Sequence, residues 1–314
     1  RTSFVQKLPF INKHYKKYFL VYPLAFKNFN LTGYDVILTS SSAYAKGVVI
    51  PKSAAHICYC YTPARFIWRY EQYMEQEKIN AAEKSVIFFL TRLMKNWDIK
   101  TAGNVDYFIS TCENIRDRIK TVYGRDSAVI YPPVEIKKFY ISNKVKDYFL
   151  VVSRFSAYKR IDIVIEAFNK LKLPLKIIGD GPHRKYLEKI AGSCIEFLGK
   201  VNEEKLAENY ANCQALVFPG EEDFGIAPIE AMASGRPVIA YAAGGALETI
   251  RDGITGVFFQ KQTAEDIIKA VGIMQGLSFN GNVIKQNAVK FDKEIFIGKI
   301  KEFILQKYGD GKKC

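Results

Sequence analysis

Long apolar runs are missing from this sequence. No stretch of eighteen consecutive apolar residues occurs, so no membrane-spanning helix is expected. The first residues do not read as a secretory leader. Histidine is scarce, with 3 in 314 residues, and none of the 6 cysteines forms a C-x-x-C pair, so a zinc site is not expected. No internal repeat or low-complexity tract is present. Cys58 and Cys60 flank Tyr59 on an expected strand and share one face; they read as buried free thiols in a reducing compartment.

What is present suits a globular protein of about two domains. Apolar residues make up 48% and charged residues 25%. The net charge of +14 is uneven. Residues 1–143 hold 21 Lys and Arg against 11 Asp and Glu; residues 144–314 hold 25 against 21. A basic first half suits an anionic partner: nucleic acid, an acidic membrane or a phosphorylated substrate. The cations are spread rather than blocked, so each one alone reads as part of a solvated face. A nucleic-acid binder would need a binding module or a clustered basic stripe, and the sequence has neither.

The second half alternates short apolar runs with helical periods. "YFLVVSRF" reads as a strand, "RIDIVIEAFNKL" as a helix, "LKIIGDG" as a strand and "PHRKYLEKIAG" as a helix. "IEFLGK", "NEEKLAENYANC", "QALVFPG" and "RPVIAY" continue the alternation. Such a series predicts a parallel, doubly wound sheet. The first half is similar but less regular, with strands at "YDVILTSSSAYAKGV", "AAHICYCYTP", "VDYFISTCENIRDRIKTVYG" and "AVIYPPVEIKKF", the third running on into a helix. The polar segment 141–147, after Pro132 and Pro133, is the expected linker. The expected organisation is therefore two Rossmann-like domains, 1–143 and 144–290, with 291–314 a helix crossing back to the first. In such sheets ligands sit outside the carboxyl ends of the strands, so the loops after strands are the places to search.

Those loops carry chemistry. Arg154 and Lys159 follow the first strand of the second half, a fork and a point charge suited to a diphosphate. They read equally well as two surface cations. Gly179 and Gly181 follow the next strand and would let backbone approach a ligand, although a plain strand–helix turn accounts for them too. In "EEDFGIAPIEAMASGRPVIAYAAGG" two carboxylates, Glu222 and Glu230, bracket the start of a short helix. Carboxylates accept hydrogen bonds from vicinal hydroxyls, which hexose and ribose both offer. The amides of Phe224, Gly225 and Ile226 stand near a helix N-terminus, where anions bind. Two acids eight positions apart say little by themselves, because the helix dipole favours Glu there in any protein. Their company with the two cations points to a nucleotide-sugar.

The same residues carry a family resemblance. The stretch running on from Glu221 through "GGALETIRDGITG" resembles the E-x7-E signature of the family 4 glycosyltransferases, retaining enzymes of GT-B fold. "VSRFSAYKRID" resembles that family's Arg and Lys phosphate loop, and "IIGDGP" its strand–turn. "HICYCYTPARFIW" and "VDYFISTCENIRDRIKTVYGRDSAVIYPPV" resemble the mannosyltransferase branch that builds O-antigen and other surface polysaccharides. The resemblance implies two doubly wound domains facing a cleft. It implies Arg154 and Lys159 on the donor diphosphate, Glu222 on donor-sugar hydroxyls and Glu230 on the ribose. The amides of Phe224, Gly225 and Ile226 would face sugar or phosphate, and Gly199, Lys200 and Val201 the base. No cofactor is implied, and without a D-x-D motif a metal-independent mechanism is expected. The donor would be GDP-mannose, with a UDP-hexose as the alternative, and the acceptor a lipid-linked glycan at a cytoplasmic membrane face. A nucleotide-sugar-binding subunit without activity is a further alternative.

Two departures from the family stand out. Tyr61 occupies, in "CYCYTP", the place where relatives often carry a His near the reacting centre; it is the acceptor-side candidate. The family's first strand and Gly-rich loop have no counterpart here, and "RTSFVQKLPF" reads like the interior of a longer chain, so an incomplete first domain is expected. Finally, Val86, Ile87, Phe89, Leu90, Leu93 and Met94 fall at helical spacing, with Lys84, Arg92 and Lys95 elsewhere on the wheel. That face would pack on the sheet, the preferred reading, or lie on a membrane.

Overall fold

The computed structural model describes residues 2–11, 18–68 and 81–311, with side chains over 88–309 of the last segment. Two compact units divide the chain: Arg1–Tyr131 with Gly298–Cys314, and Pro132–Ile297.

The first unit is built on four parallel strands in the order β1-β2-β3-β4: β1 (Val36–Ser41), β2 (Ala55–Cys60), β3 (Tyr107–Ser110) and β4 (Ser127–Val129). Five of the six β2 residues are buried, as a strand between covered faces requires. Cys58 and Cys60 lie on it as buried free thiols. Helices Ala81–Ala102 and Glu113–Tyr123 flank the sheet sequence; Gly124, at φ 64°, ends the second. The C-terminal helix Lys293–Gly311 also reaches this unit, where Phe303 meets the Tyr107 ring edge-on at 6.4 Å and Lys307 lies 5.2 Å over it.

One cation expected on a solvated face is in the core. Lys46 is 2% exposed and ion-pairs with Asp98, which is 0% exposed. Asp98 also accepts from Trp68 Nε1 and from the Tyr123 hydroxyl, both at 2.7 Å. Lys46 donates to the Ala43 carbonyl at 2.9 Å and lies over the Trp97 and Tyr123 rings. A buried charge survives only when paired and hydrogen-bonded, and both charges here are. Four segments of the unit meet at this carboxylate.

The apolar face of helix Ala81–Ala102 is split rather than packed on the sheet. Met94 is buried against Ala64 and Ile67, whereas Phe88, Phe89 and Leu93 are exposed. The side chains of Lys84, Val86 and Ile87 lie outside the described residues.

The second unit has six parallel strands: β5 (Phe149–Val152), β6 (Leu175–Ile178), β7 (Ile195–Gly199), β8 (Leu216–Phe218), β9 (Val238–Tyr241) and β10 (Gly256–Phe259). Their order is β10-β9-β8-β5-β6-β7. Helix Ile161–Leu171 shows why the alternation folds this way. Ile161, Val164, Ile165 and Phe168 recur at helical spacing and are all buried. Phe168 meets Phe149 of β5 at 5.1 Å, so the helix face is also sheet core. Truncating such a ring costs about 3–5 kcal/mol.

Two boundaries differ from the sequence expectation. The first unit ends at Tyr131, not 143, because residues 134–147 are bound to the second unit. Val134 exchanges backbone hydrogen bonds with Phe291 and Lys293 at 2.9 and 3.0 Å. The Phe139 ring packs edge-on to Tyr210, and the Lys146 amide donates to the Asn212 carbonyl. The polar stretch 141–147 is thus a strap on this unit. The chain returns at Ile297/Gly298, within the last helix rather than before it. Strand β10 and helix Gly281–Val289 are additions to the elements read from the sequence.

Candidate functional site

The order β10-β9-β8-β5-β6-β7 reverses direction between β5 and β8. Outside the carboxyl ends of two such strands the flanking loops part, leaving a crevice where ligands bind in open α/β sheets. The loop after β5 carries Arg154 and Lys159; the loop after β8 carries Glu222. The fold therefore brings together residues 63 positions apart in the chain.

Lys159 and Glu222 form an ion pair through Glu222 Oε1, with side chains 18% and 15% exposed. Lys159 also lies 5.1 Å over the ring of Tyr158. Glu222 Oε2 has no partner among the described residues. Arg154 is exposed, and its guanidinium too has no partner there. The site thus holds one neutralised cation and one open cation.

Backbone packing fixes this loop. Gln262 Nε2 donates to the Pro219 carbonyl at 2.8 Å. The Gly245 amide donates to the Glu222 carbonyl at 2.9 Å. A Cβ on Gly244 would stand 2.2 Å from the Glu222 carbonyl oxygen, and one on Gly245 2.4 Å from Phe224 Cα. The loops after β8 and β9 approach so closely that only glycine fits. The "AAGG" sequence held this signal, but nothing local in it names the loop it touches.

Helix Ile226–Ala233 begins at Gly225, with no side-chain cap. The Gly225 and Ile226 amides find no acceptor among the described residues. The Phe224 side chain is core, its ring edge-on to Phe291 at 5.6 Å. Glu230 lies one turn further on. Its Oε2 accepts from the Tyr210 hydroxyl at 2.8 Å. Burial pushes the Glu230 carboxyl above its ordinary value, while the Tyr210 hydrogen bond and the nearby Lys138 pull it back.

Gly179 and Gly181 approach the chain's own backbone closely. A Cβ on Gly179 would fall 1.8 Å from the Ser153 carbonyl oxygen, and one on Gly181 2.4 Å from that of Phe155. These glycines let the loop after β6 lie on the loop after β5, which accounts for them without a ligand. They shape the Arg154 loop.

Gly199 ends β7, and its carbonyl accepts from the Gly179 amide at 2.8 Å. Two strand spacings, about 10 Å, separate β7 from β5. Beyond Gly199 and Lys200, Val201 lines a surface groove of about 620 Å³ with Tyr140, Asn202, Glu204, Lys205 and Glu208. The groove does not include the cation loop. Tyr61 belongs to the other unit, exposed at the carboxyl end of β2 with its ring edge-on to Tyr59.

Sequence reasoning missed Tyr210 and Gln262, because neither lies in a recognisable motif and both act across the fold. Among the described residues no helix is long and apolar enough to cross a membrane.

Comparison with known proteins bears on the fold. Residues 134–274 match the family model for glycosyl transferases group 1. The chain is 31% identical over 169 residues to an uncharacterized glycosyltransferase of Methanocaldococcus jannaschii, covering 52% of this chain and 48% of that protein. It is 33% identical over 147 residues to a GDP-mannose-dependent alpha-mannosyltransferase of Corynebacterium glutamicum, covering 46% and 35%. These matches span about half or less of the relatives' length. Among solved structures, sucrose-phosphate synthase from Thermosynechococcus elongatus superposes with a TM-score of 0.77 at 19% identity, covering 94% of this chain and 80% of that one. The chain thus has two parallel-sheet α/β domains of the GT-B kind, and its second unit carries the glycosyl transferases group 1 match.

Proposed function

We propose that this protein is a retaining glycosyltransferase that moves a hexose, mannose from GDP-mannose, to a lipid-linked glycan. The observation that carries the reading is the meeting of Arg154, Lys159 and Glu222 at the β5/β8 switch point. The match over residues 134–274 and the mannosyltransferase relative support it.

Charge gives the mechanism. Arg154 and Lys159 would take the donor diphosphate, with the open Gly225 and Ile226 amides adding donors at a helix start. Glu222, with one oxygen on Lys159, would accept from sugar hydroxyls with the other. As the bond from the anomeric carbon to the phosphate oxygen breaks, negative charge grows on the diphosphate. The two cations then bind the transition state more strongly than the ground state, which is what lowers the barrier. The departing phosphate oxygen would take the proton of the attacking acceptor hydroxyl on the same face. Retention follows without a protein base. Glu230 would hold the ribose, and Gly199–Val201 the base. The exposed Phe88, Phe89 and Leu93, on a helix with Arg92 and Lys95, suit an acidic membrane face that presents the acceptor.

The test is product analysis with GDP-mannose or UDP-glucose and a lipid-linked glycan. Transfer from GDP-mannose with an axial-type, retained linkage is expected. An inverted linkage refutes the mechanism, and transfer from UDP-glucose alone refutes the donor.

A further inference from the structure

Tyr210 has a feature that the reaction chemistry does not use. Its side chain is 0% exposed, and its hydroxyl donates to Glu230 Oε2 at 2.8 Å. The Phe139 ring packs edge-on against it at 5.8 Å, holding the ring in place. Tyr210 lies on helix Glu203–Asn212, which starts one residue beyond the Val201–Asn202 corner. One rigid element therefore joins the loop after β7 to the Glu230 carboxylate.

We propose that Tyr210 is the positioning residue of Glu230: it ties one carboxylate oxygen and presents the other to a ribose hydroxyl of the nucleotide. The inference rests on the reading of Glu230 as the ribose-binding acid. A carboxylate on a side chain with three torsions needs an anchor if it is to favour a diol at one place, and a phenol locked in the core supplies it. Among the described residues, the charged and titratable groups facing Glu230 are Tyr210 from helix Glu203–Asn212 and Lys138 from the turn Ile136–Lys138. Burial keeps the Tyr210 phenol protonated, so it stays a donor throughout the working pH range. Its hydrogen bond favours the ionised Glu230 that hydroxyl recognition requires.

The experiment is calorimetric titration of wild type, Tyr210→Phe, Glu230→Gln and the double variant. The ligands are GDP, UDP and their 2′-deoxy and 3′-deoxy forms, between pH 5 and 8. Wild type should prefer the ribose forms. Tyr210→Phe should bind the preferred diphosphate about tenfold more weakly, the scale of a hydrogen bond to a charged group. It should discriminate less against the deoxy forms and lose affinity at a higher pH on the acid side. In the Glu230→Gln background it should add nothing. An unchanged ribose preference and pH profile in folded Tyr210→Phe overturns the proposal while leaving Glu230's role intact. A wild type that binds diphosphates but ignores the missing hydroxyls overturns the Glu230 reading and the proposal with it. Should Tyr210→Phe fail to fold, a ring-fluorinated tyrosine at 210 keeps the shape and changes donor strength. The acid limb must then move, and a fixed limb refutes the proposal.

Discussion

Each unit places a lysine in the loop after its first strand and pairs it with a carboxylate, and the two pairs behave differently. Lys46 and Asp98 are closed: both are buried, and Trp68, Tyr123 and Ala43 hydrogen-bond to them. Lys159 and Glu222 remain 18% and 15% exposed, beside the open Arg154 and an uncapped helix start. Ion pairing by itself does not separate structure from function. Exposure does: a pair shut in the core, with neighbours on both partners, cannot exchange partners with a ligand, and a partly exposed pair at a switch point can.

The largest effect that would break this contrast is on stability. Lys46→Ala leaves Asp98 buried without its counter-ion, and chemical denaturation should show a loss of about 3–5 kcal/mol. Lys159→Ala should cost clearly less stability. Equal losses would mean that the second pair is structural too. For turnover the order reverses. Arg154→Ala or Lys159→Ala should lower donor turnover by about 10²–10³-fold, the scale of a lost charge-stabilising donor. Next comes Gly245→Ala, which drives a methyl group into Phe224 and should cost about 1–3 kcal/mol with loss of nucleotide affinity. Gln262→Ala, removing the tether on Pro219, should cost about 0.5–1.5 kcal/mol and weaken nucleotide binding more than it lowers the melting temperature.

The smallest expected effect is in pH dependence. Burial raises the Glu230 carboxyl above its ordinary 4.5, so the folded protein holds that proton more tightly than the unfolded chain. Stability therefore falls as pH rises from about 4.5 through the raised value, and nucleotide binding is lost as pH falls through it. Glu230→Gln should flatten the stability trend over that window, which denaturation at a series of pH values reads directly.

Much of the second unit was legible because short apolar runs, helical periods and turn residues all agree there. Strand β10 was not: "GVFF" is four residues long, and only pairing with β9 makes it a strand. The boundary was misread because Pro132 and Pro133 look like the end of a domain's last strand, while the bonds from Val134 to Phe291 and Lys293 span more than 150 positions. At the site, Glu222 and Lys159 were legible as residue types. Their pairing was not, since it depends on β5 and β8 being neighbours. The glycines at 179 and 181 show the converse: the motif was visible, yet their close approach is to the chain's own backbone. Lys46 looked like any surface cation, because burial of a charge leaves no local pattern.

The most direct test of the central claim is nucleotide binding to this chain. Thermal unfolding should be followed with GDP, UDP, GDP-mannose and UDP-glucose, for wild type and for Arg154→Ala/Lys159→Ala. A ligand that binds only the folded state raises the melting temperature. The account predicts a rise with GDP and GDP-mannose in wild type and none in the folded double variant. A rise that survives the double substitution, or no rise with any nucleotide, would contradict it.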